Sequence, residues 1–410
     1  MNATIEVKQQ RRSAASVDVA AYLRPGTITL QALPPLALYV HYPWCVRKCP
    51  YCDFNSHEVN SPSASEKEYL DAVRADIEAA LPLIWGRRIV SIFFGGGTPS
   101  LMSAKGLDRL LSDIRALLPL ALDCEVTLEA NPGTVEAGRF ASYRASGVNR
   151  LSIGIQSFDD KKLVALGRIH DRAQALTAIE VAQRHFDNFN LDLMYGLPGQ
   201  SLLELQADVE RALEAHPPHL SLYQLTLEPN TVFAKFPPTL PDEDTAAAMQ
   251  DWLEARTAEA GLHRYEVSAY ATPARECRHN VNYWTYGDYL GVGAGAHSKI
   301  SFPHRIIRQV RFRQPASYME QAATREFVAE SHEIARNELP FEFMLNALRL
   351  TGGVPTNTLF ERTGVPLSAI ESELDETERR GLLVRNHHVL APSRLGLRFL
   401  SDLQATFLKS

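Results

Sequence analysis

Cys45, Cys49 and Cys52 stand close together in the run Tyr39-Val40-His41-Tyr42-Pro43-Trp44-Cys45-Val46-Arg47-Lys48-Cys49-Pro50-Tyr51-Cys52-Asp53-Phe54. Three thiolates so spaced can wrap one corner of an iron–sulfur cubane, ligating three irons and leaving the fourth without a protein ligand. A structural zinc is the competing use, and it would have to recruit His41, His57 or Asp53 as a fourth ligand. Zinc ligands usually come as two separated pairs, whereas the other cysteines here, Cys124 and Cys277, stand alone. An odd total of 5 cysteines is a poor disulfide framework and points to a reducing, cytoplasmic setting.

Other residues able to hold a ligand recur at the ends of short β-rich runs, at 36–41, 89–94, 125–129, 150–155, 189–194 and 220–225. Tyr39 falls late in the first run and Gly95-Gly96-Gly97-Thr98 follows the second. Glu129 and Asn131 close the third, Gln156 ends the fourth, Asp192 lies late in the fifth and Thr226 follows the sixth. Small residues at 95–97 would let backbone approach a ligand closely; a tight turn is the plainer use. Glu129, Gln156, Arg168 and Asp192 could bind a carboxylate, hydroxyls or a base, although each alone is more often a solvated or paired side chain.

Helical spacing fills the intervals, at 65–84, 103–118, 135–146, 173–184 and 202–215. Strands alternating with helices need crossover connections, and so form a parallel sheet. The strands read as apolar on both faces or nearly so. Periodicity leaves two closures, an open doubly wound sheet and a partial (β/α)6 barrel. Polar groups at every carboxyl end favour the barrel, because barrel enzymes build their sites there, while a doubly wound sheet gathers them at one switch point.

The 410 residues carry a net charge of −6, with 45% hydrophobic and 22% charged residues. These are ordinary globular values. The mild acidity argues against nucleic acid as a partner, and no stretch approaches the ~18 consecutive apolar residues of a spanning helix. Residues 1–34 lack periodicity and a signal-peptide core and read as a flexible leader. The barrel is expected over 35–240 and an extension over 241–330, including a helix at 242–260 capped by Asp242 and a strand at 264–270. A smaller C-terminal domain follows at 331–410. Its expected elements are helices at 331–350, 357–362, 367–380 and 394–408 with a hairpin at 382–390. That is a winged-helix-like plan, but its acidic cluster Glu371, Glu373, Asp375, Glu376 and Glu378 would repel phosphate, so it reads as a lid or docking domain.

At the cysteine run the sequence resembles the radical S-adenosylmethionine (SAM) superfamily, whose signature is Cys-x3-Cys-x2-Cys after the first barrel strand. The resemblance implies a [4Fe-4S] cluster on Cys45, Cys49 and Cys52, whose open iron takes the amino and carboxylate groups of SAM. It also implies one-electron cleavage of the sulfonium to a 5′-deoxyadenosyl radical. Over about 35–408 the chain is similar to the coproporphyrinogen dehydrogenase/HemW family. That likeness rests on Phe-Phe-Gly-Gly-Gly-Thr-Pro-Ser at 93–100, Glu-Ala-Asn-Pro-Gly-Thr-Val at 129–135 and Ile-Gly-Ile-Gln-Ser-Phe at 153–158. It rests also on Leu-Gly-Arg-Ile-His at 166–170 and Asn-Leu-Asp-Leu-Met-Tyr-Gly-Leu-Pro-Gly-Gln at 190–200. By this resemblance Tyr39, Gly97, Thr98, Glu129, Gln156, Arg168, Asp192 and Thr226 contact SAM.

Two features divide the family. Its dehydrogenases carry a fourth cysteine where this chain has Phe54, and its heme chaperones carry the His-Asn-x-x-Tyr-Trp run found here at 279–284. Imidazole ligates heme iron, so His279 is the candidate axial ligand, with Tyr283 and Trp284 candidates to line a porphyrin. A loop histidine beside two core aromatics is the plainer reading of the same residues. Glycine-rich 291–298 reads as a turn near the cofactor, with His297 a buried structural histidine. The resemblance implies a heme chaperone, with heme as cargo, rather than an active oxidase, and no catalytic residue is assigned. Heme-accepting proteins, membrane respiratory enzymes among them, are the candidate partners, as is a second copy of the chain. Oxidative decarboxylation of coproporphyrinogen III is the alternative, and radical chemistry on another substrate a third.

Overall fold

The computed structural model describes residues 19–58, 65–134 and 137–408. Six strands pair in chain order, each parallel to the next: β1 (Leu36–Tyr42), β2 (Ile89–Gly96), β3 (Leu120–Ala130), β4 (Arg150–Gln156), β5 (Phe189–Tyr195) and β6 (His219–Gln224). A doubly wound sheet reverses its order at a switch point; this one never does, so the winding is that of a barrel. Helices α1 (Glu66–Ile84), α2 (Ala104–Leu117), α3 (Ala137–Ser146), α4 (Asp160–Ala165), α5 (Arg172–His185) and α6 (Leu202–Leu213) fill the crossovers. Their starts are written locally. Ser103 caps α2, while Asp171 with Gln174 and Ser201 with Glu204 form capping boxes on α5 and α6. Val135, the expected start of α3, lies outside the described residues.

The barrel stays open. Beyond β6, α7 (Glu243–Glu259) is capped by Asp242 as expected. Residues 264–270, read as one strand, are instead the hairpin β7 (His263–Glu266) and β8 (Ala269–Ala271), turned at Val267-Ser268 and laid antiparallel on β6. On the opposite edge β9 (Asp288–Val292) runs parallel to β1 and leads antiparallel through β10 (His297–Phe302), β11 (Arg305–Arg311) and β12 (Val328–Glu333). The result is one 12-stranded sheet in the order β12-β11-β10-β9-β1-β2-β3-β4-β5-β6-β8-β7. Glycine-rich 291–298 is the β9–β10 turn, with Gly293 and Gly295 at φ 100° and 79°.

The start of the expected helix at 331–350 is instead strand: residues 331–333 complete the edge strand β12, whose backbone pairs with β11 and whose charged, exposed side chains suit an edge. Helix returns only at α8 (Leu339–Ala347). After it come Thr358–Thr363, Glu371–Arg379 and a three-stranded wing of Val354–Pro355, Val389–Pro392 and Leu383–Arg385. The last helix breaks at Phe399 into Arg394–Arg398 and Leu400–Ala405.

Among the described residues two large apolar cores result, one between the sheet and its helices and a second around α8 and the wing, with a small third cluster of Leu166, Met194, Leu197, Leu225 and Phe233. The second core corrects the reading of the leader. Residues 1–18 lie outside the described residues, but Ile28 and Leu30 are buried among Phe343, Met344 and Leu374. Leu30 N donates to Pro303 O at 2.8 Å, and Arg336 reaches Thr27 O at 2.6 Å. The stretch before β1 is a strap across the C-terminal unit. Among the described residues no helix is long and apolar enough to cross a membrane.

Candidate cofactor-binding site

The cysteine loop leaves the end of β1 and is seated on the glycine turn after β2. Gly97 N donates to Tyr42 O and Thr98 N to Trp44 O, both at 2.8 Å. A Cβ on Gly97 would lie 2.6 Å from Trp44 O, so this seating admits only glycine. Much of what the glycine run does is thus chain-to-chain approach. Trp44 and Cys45 pair with His57 and Glu58, closing the loop on itself. His41 pins it from below, with Nε2 2.9 Å from Asn55 O and Nδ1 3.1 Å from the Tyr39 hydroxyl. Burial pulls the His41 pKa down to about 4, so the ring is neutral near pH 7.

All three loop thiols line one cleft of about 380 Å³ over the carboxyl ends of the strands. Burial pushes the Cys45 and Cys52 thiols up. Hydrogen-bond donors stand against them: the Thr98 hydroxyl 3.5 Å from Cys45 Sγ, and the Arg168 guanidinium 3.7 Å from Cys49 Sγ. The Thr98 hydrogen bond opposes the rise at Cys45. Among the described residues no three His, Cys, Asp or Glu side chains converge on a point as a single metal ion requires. A cubane makes no such demand, since each thiolate takes a different iron.

Gly97, Thr98, Glu129, Gln156, Arg168, Asp192 and Thr226 line the same cleft. Gln156 gets there by a bulge against β5 and a left-handed backbone, φ 66°, which turns its side chain inward at the strand end. Arg168 is held by Gly154 O at 2.9 Å and by Asn131 Oδ1. Thr226 stands at the mouth with its hydroxyl on Glu228 Oε1 at 2.7 Å. Burial, with the Asp192 charge adding to it, raises the Glu129 pKa to about 8, so its carboxyl is mostly protonated at neutral pH. Asp192 is raised by burial too, opposed by hydrogen bonds from Asn190 Nδ2 at 2.7 Å and Ser152 Oγ at 3.0 Å.

Tyr39 and His279, singled out from sequence as cofactor-binding residues, are not on the cleft wall. Tyr39 lies behind it, on His41. His279 sits on the short helix Arg278–Trp284, where a loop is the plainer expectation. Its ring is buried, with Nδ1 3.2 Å from Ser91 Oγ and its face 5.1 Å from that of Phe93. Burial, then the nearby Arg150 charge, drives its pKa down to about 3. Asn280 is what this helix presents to the cleft. Tyr283 packs on Tyr289 at 4.9 Å, and Trp284 lies under the Arg349 guanidinium at 4.3 Å. His297, expected buried, is exposed at the start of β10.

Sequence reasoning missed the cleft floor. Arg150 and Ser152 on β4, Asn190 on β5, and His219, Ser221 and Tyr223 on β6 all line it, so these strands are not apolar on both faces. The signal was polar residues at every second position, the period of one strand face. Ser152, Asn190, His219 and Ser221 form a chain of hydrogen bonds. Asn190 bridges Asp192 to His219 Nδ1 (2.7 Å), and His219 Nε2 lies 2.9 Å from the Tyr265 hydroxyl, which accepts from Cys277 N at 3.2 Å.

The pattern described as the radical SAM superfamily matches residues 39–212, and that of the HemN C-terminal domain matches 334–399. Heme chaperone HemW of Escherichia coli (strain K12) is 44% identical over 378 residues, covering 92% of this chain and 99% of that protein. Heme chaperone HemW of Bacillus subtilis (strain 168) is 32% identical, covering 90% and 98%. The mitochondrial radical S-adenosyl methionine domain-containing protein 1 of Bos taurus is 35% identical, covering 91% and 87%. Among solved structures, coproporphyrinogen III oxidase (HemN) from Escherichia coli superposes with a TM-score of 0.79 at 22% identity, over 92% of this chain and 90% of that one.

Proposed function

The chain belongs to the HemW heme chaperone family of the radical SAM superfamily, and from that premise we propose that it binds heme and hands it to acceptor proteins. Near-complete coverage of proteins named heme chaperones carries this reading. In it, Cys45, Cys49 and Cys52 hold a [4Fe-4S] cluster, for which three thiols beside a hydrogen-bonding cleft are a fitting donor set. When bound, the cluster supplies a low-potential electron and one iron open to SAM.

The chain's own residues orient SAM and exclude water from it. Gly97 and Thr98 form the wall under the loop, with Tyr39 bracing that wall through His41. Glu129, Gln156, Arg168, Asp192 and Thr226 supply donors and acceptors from successive strands. His279 is the proposed heme ligand, and burial keeps its imidazole in the neutral form that binds iron. Residues 35–240 would carry the cofactors, 241–330 the heme motif and 331–410 the docking unit, in a cytoplasmic protein that meets respiratory acceptors or a second copy of itself.

Phe54, 59% exposed at the cleft where a dehydrogenase has its fourth cysteine, stands against oxidase activity. The deciding experiment uses anaerobically reconstituted protein, assayed in parallel for heme uptake and for decarboxylation of coproporphyrinogen III with SAM and reductant. A Soret shift without decarboxylation is expected. Turnover to protoporphyrinogen would replace this reading with the oxidase.

A further inference from the structure

Arg150 opens β4 and is 1% exposed, yet its guanidinium has neither a hydrogen bond nor an ion pair among the described residues, and its Nε is wholly enclosed without a partner. A guanidinium offers five donors and keeps its charge. Leaving such a group buried and unpaired is costly, and native proteins rarely do so without use. The acceptors around it are engaged elsewhere. Asp192 takes hydrogen bonds from Asn190 and Ser152, and Glu125 Oε1 takes them from His279 N at 3.3 Å and Cys277 Sγ at 3.7 Å. The side chain lines the cleft, beside Ser152, Asn190 and Ser221.

We propose that the floor of the cleft is a carboxylate-binding subsite, in which Arg150 grips both oxygens of a ligand carboxylate and Ser152 or Ser221 stands by as a further donor. The planar fork matches a carboxylate, and few other ligand groups would use it as well. The inference rests on the function proposed above, which brings heme with its propionates; the methionyl carboxylate of SAM is assigned to the open iron, so SAM is the control ligand. Arg168, at the strand ends and already committed to Asn131 and Gly154, is a separate group.

Two ligand pairs test this on the cluster-reconstituted full chain: heme against heme dimethyl ester, and SAM against decarboxylated SAM. Arg150→Gln is expected to cut the preference for the acid about ten- to hundredfold in the heme pair, the range for a charged hydrogen-bonded pair. The SAM pair should keep its preference, because its carboxylate is held at the other end of the cleft. Arg150→Lys, which keeps the charge and loses the fork, should fall between. Acid preferences unchanged in both pairs would overturn the subsite and make Arg150 a structural countercharge to Glu125 and Asp192. Failure of the wild-type chain to take up heme counts against the chaperone reading, whereas a loss confined to the SAM pair in Arg150→Gln overturns the propionate subsite.

Discussion

Cys45, Cys49 and Cys52 line one cavity, while Cys124 and Cys277 lie buried in the protein, Cys277 with its thiol pushed up to about 12 by burial. Alanine at any of the first three should abolish the cluster, and alanine at Cys124 or Cys277 should leave it; iron and sulfide analysis of the five variants reads this. Cluster loss with Cys277→Ala alone would sink the assignment. Glu129 and Asp192 face the cavity from β3 and β5, on either side of β4, so Glu129→Ala and Asp192→Ala should each weaken SAM binding roughly three- to thirtyfold with cluster content intact. Calorimetric affinities unchanged in both would remove them from the site. Arg150 and His219 escaped notice because β-rich runs were read whole, and a polar residue at the start of a strand looks like a boundary rather than an inward-facing position.

Elements were legible where apolar period and end signals agreed, as in α5 and α6 with their capping boxes. They failed where pairing decided. Residues 328–333 have no apolar face of their own, and partnership with β11 makes them a strand. The stretch 278–284 is one short helix whose backbone is tied to the sheet, with His279 N on Glu125 Oε1 and Arg278 reaching Asp123 O at 2.5 Å. That anchorage means a change at His279 can act on ligand chemistry without releasing the helix. His279→Ala should weaken heme uptake or alter its Soret spectrum while iron and sulfide content stays constant. An unaltered heme spectrum would move the ligand elsewhere, to exposed His297 first.

For the whole molecule, strand order settles what strand content cannot: six parallel strands laid in chain order, extended at both edges, give one open sheet. The second core was illegible because its members come from distant parts of the chain. Ile28 and Leu30 join Tyr286, Ile306 and the residues of 334–407, and the Arg308 guanidinium clamps Glu342 of α8 at 2.6 Å. A C-terminal unit so assembled depends on the strap before β1 for part of its interior. Removing the Ile28 side chain leaves a cavity there, and large-to-small changes at such sites cost about 2–5 kcal/mol. Ile28→Ala should therefore speed amide hydrogen exchange in Leu339–Ala347 and the wing, well before it affects β2–β5, whose interior lies in the other core. Exchange in the C-terminal unit indifferent to Ile28→Ala would mean that the strap only lies against a unit already complete.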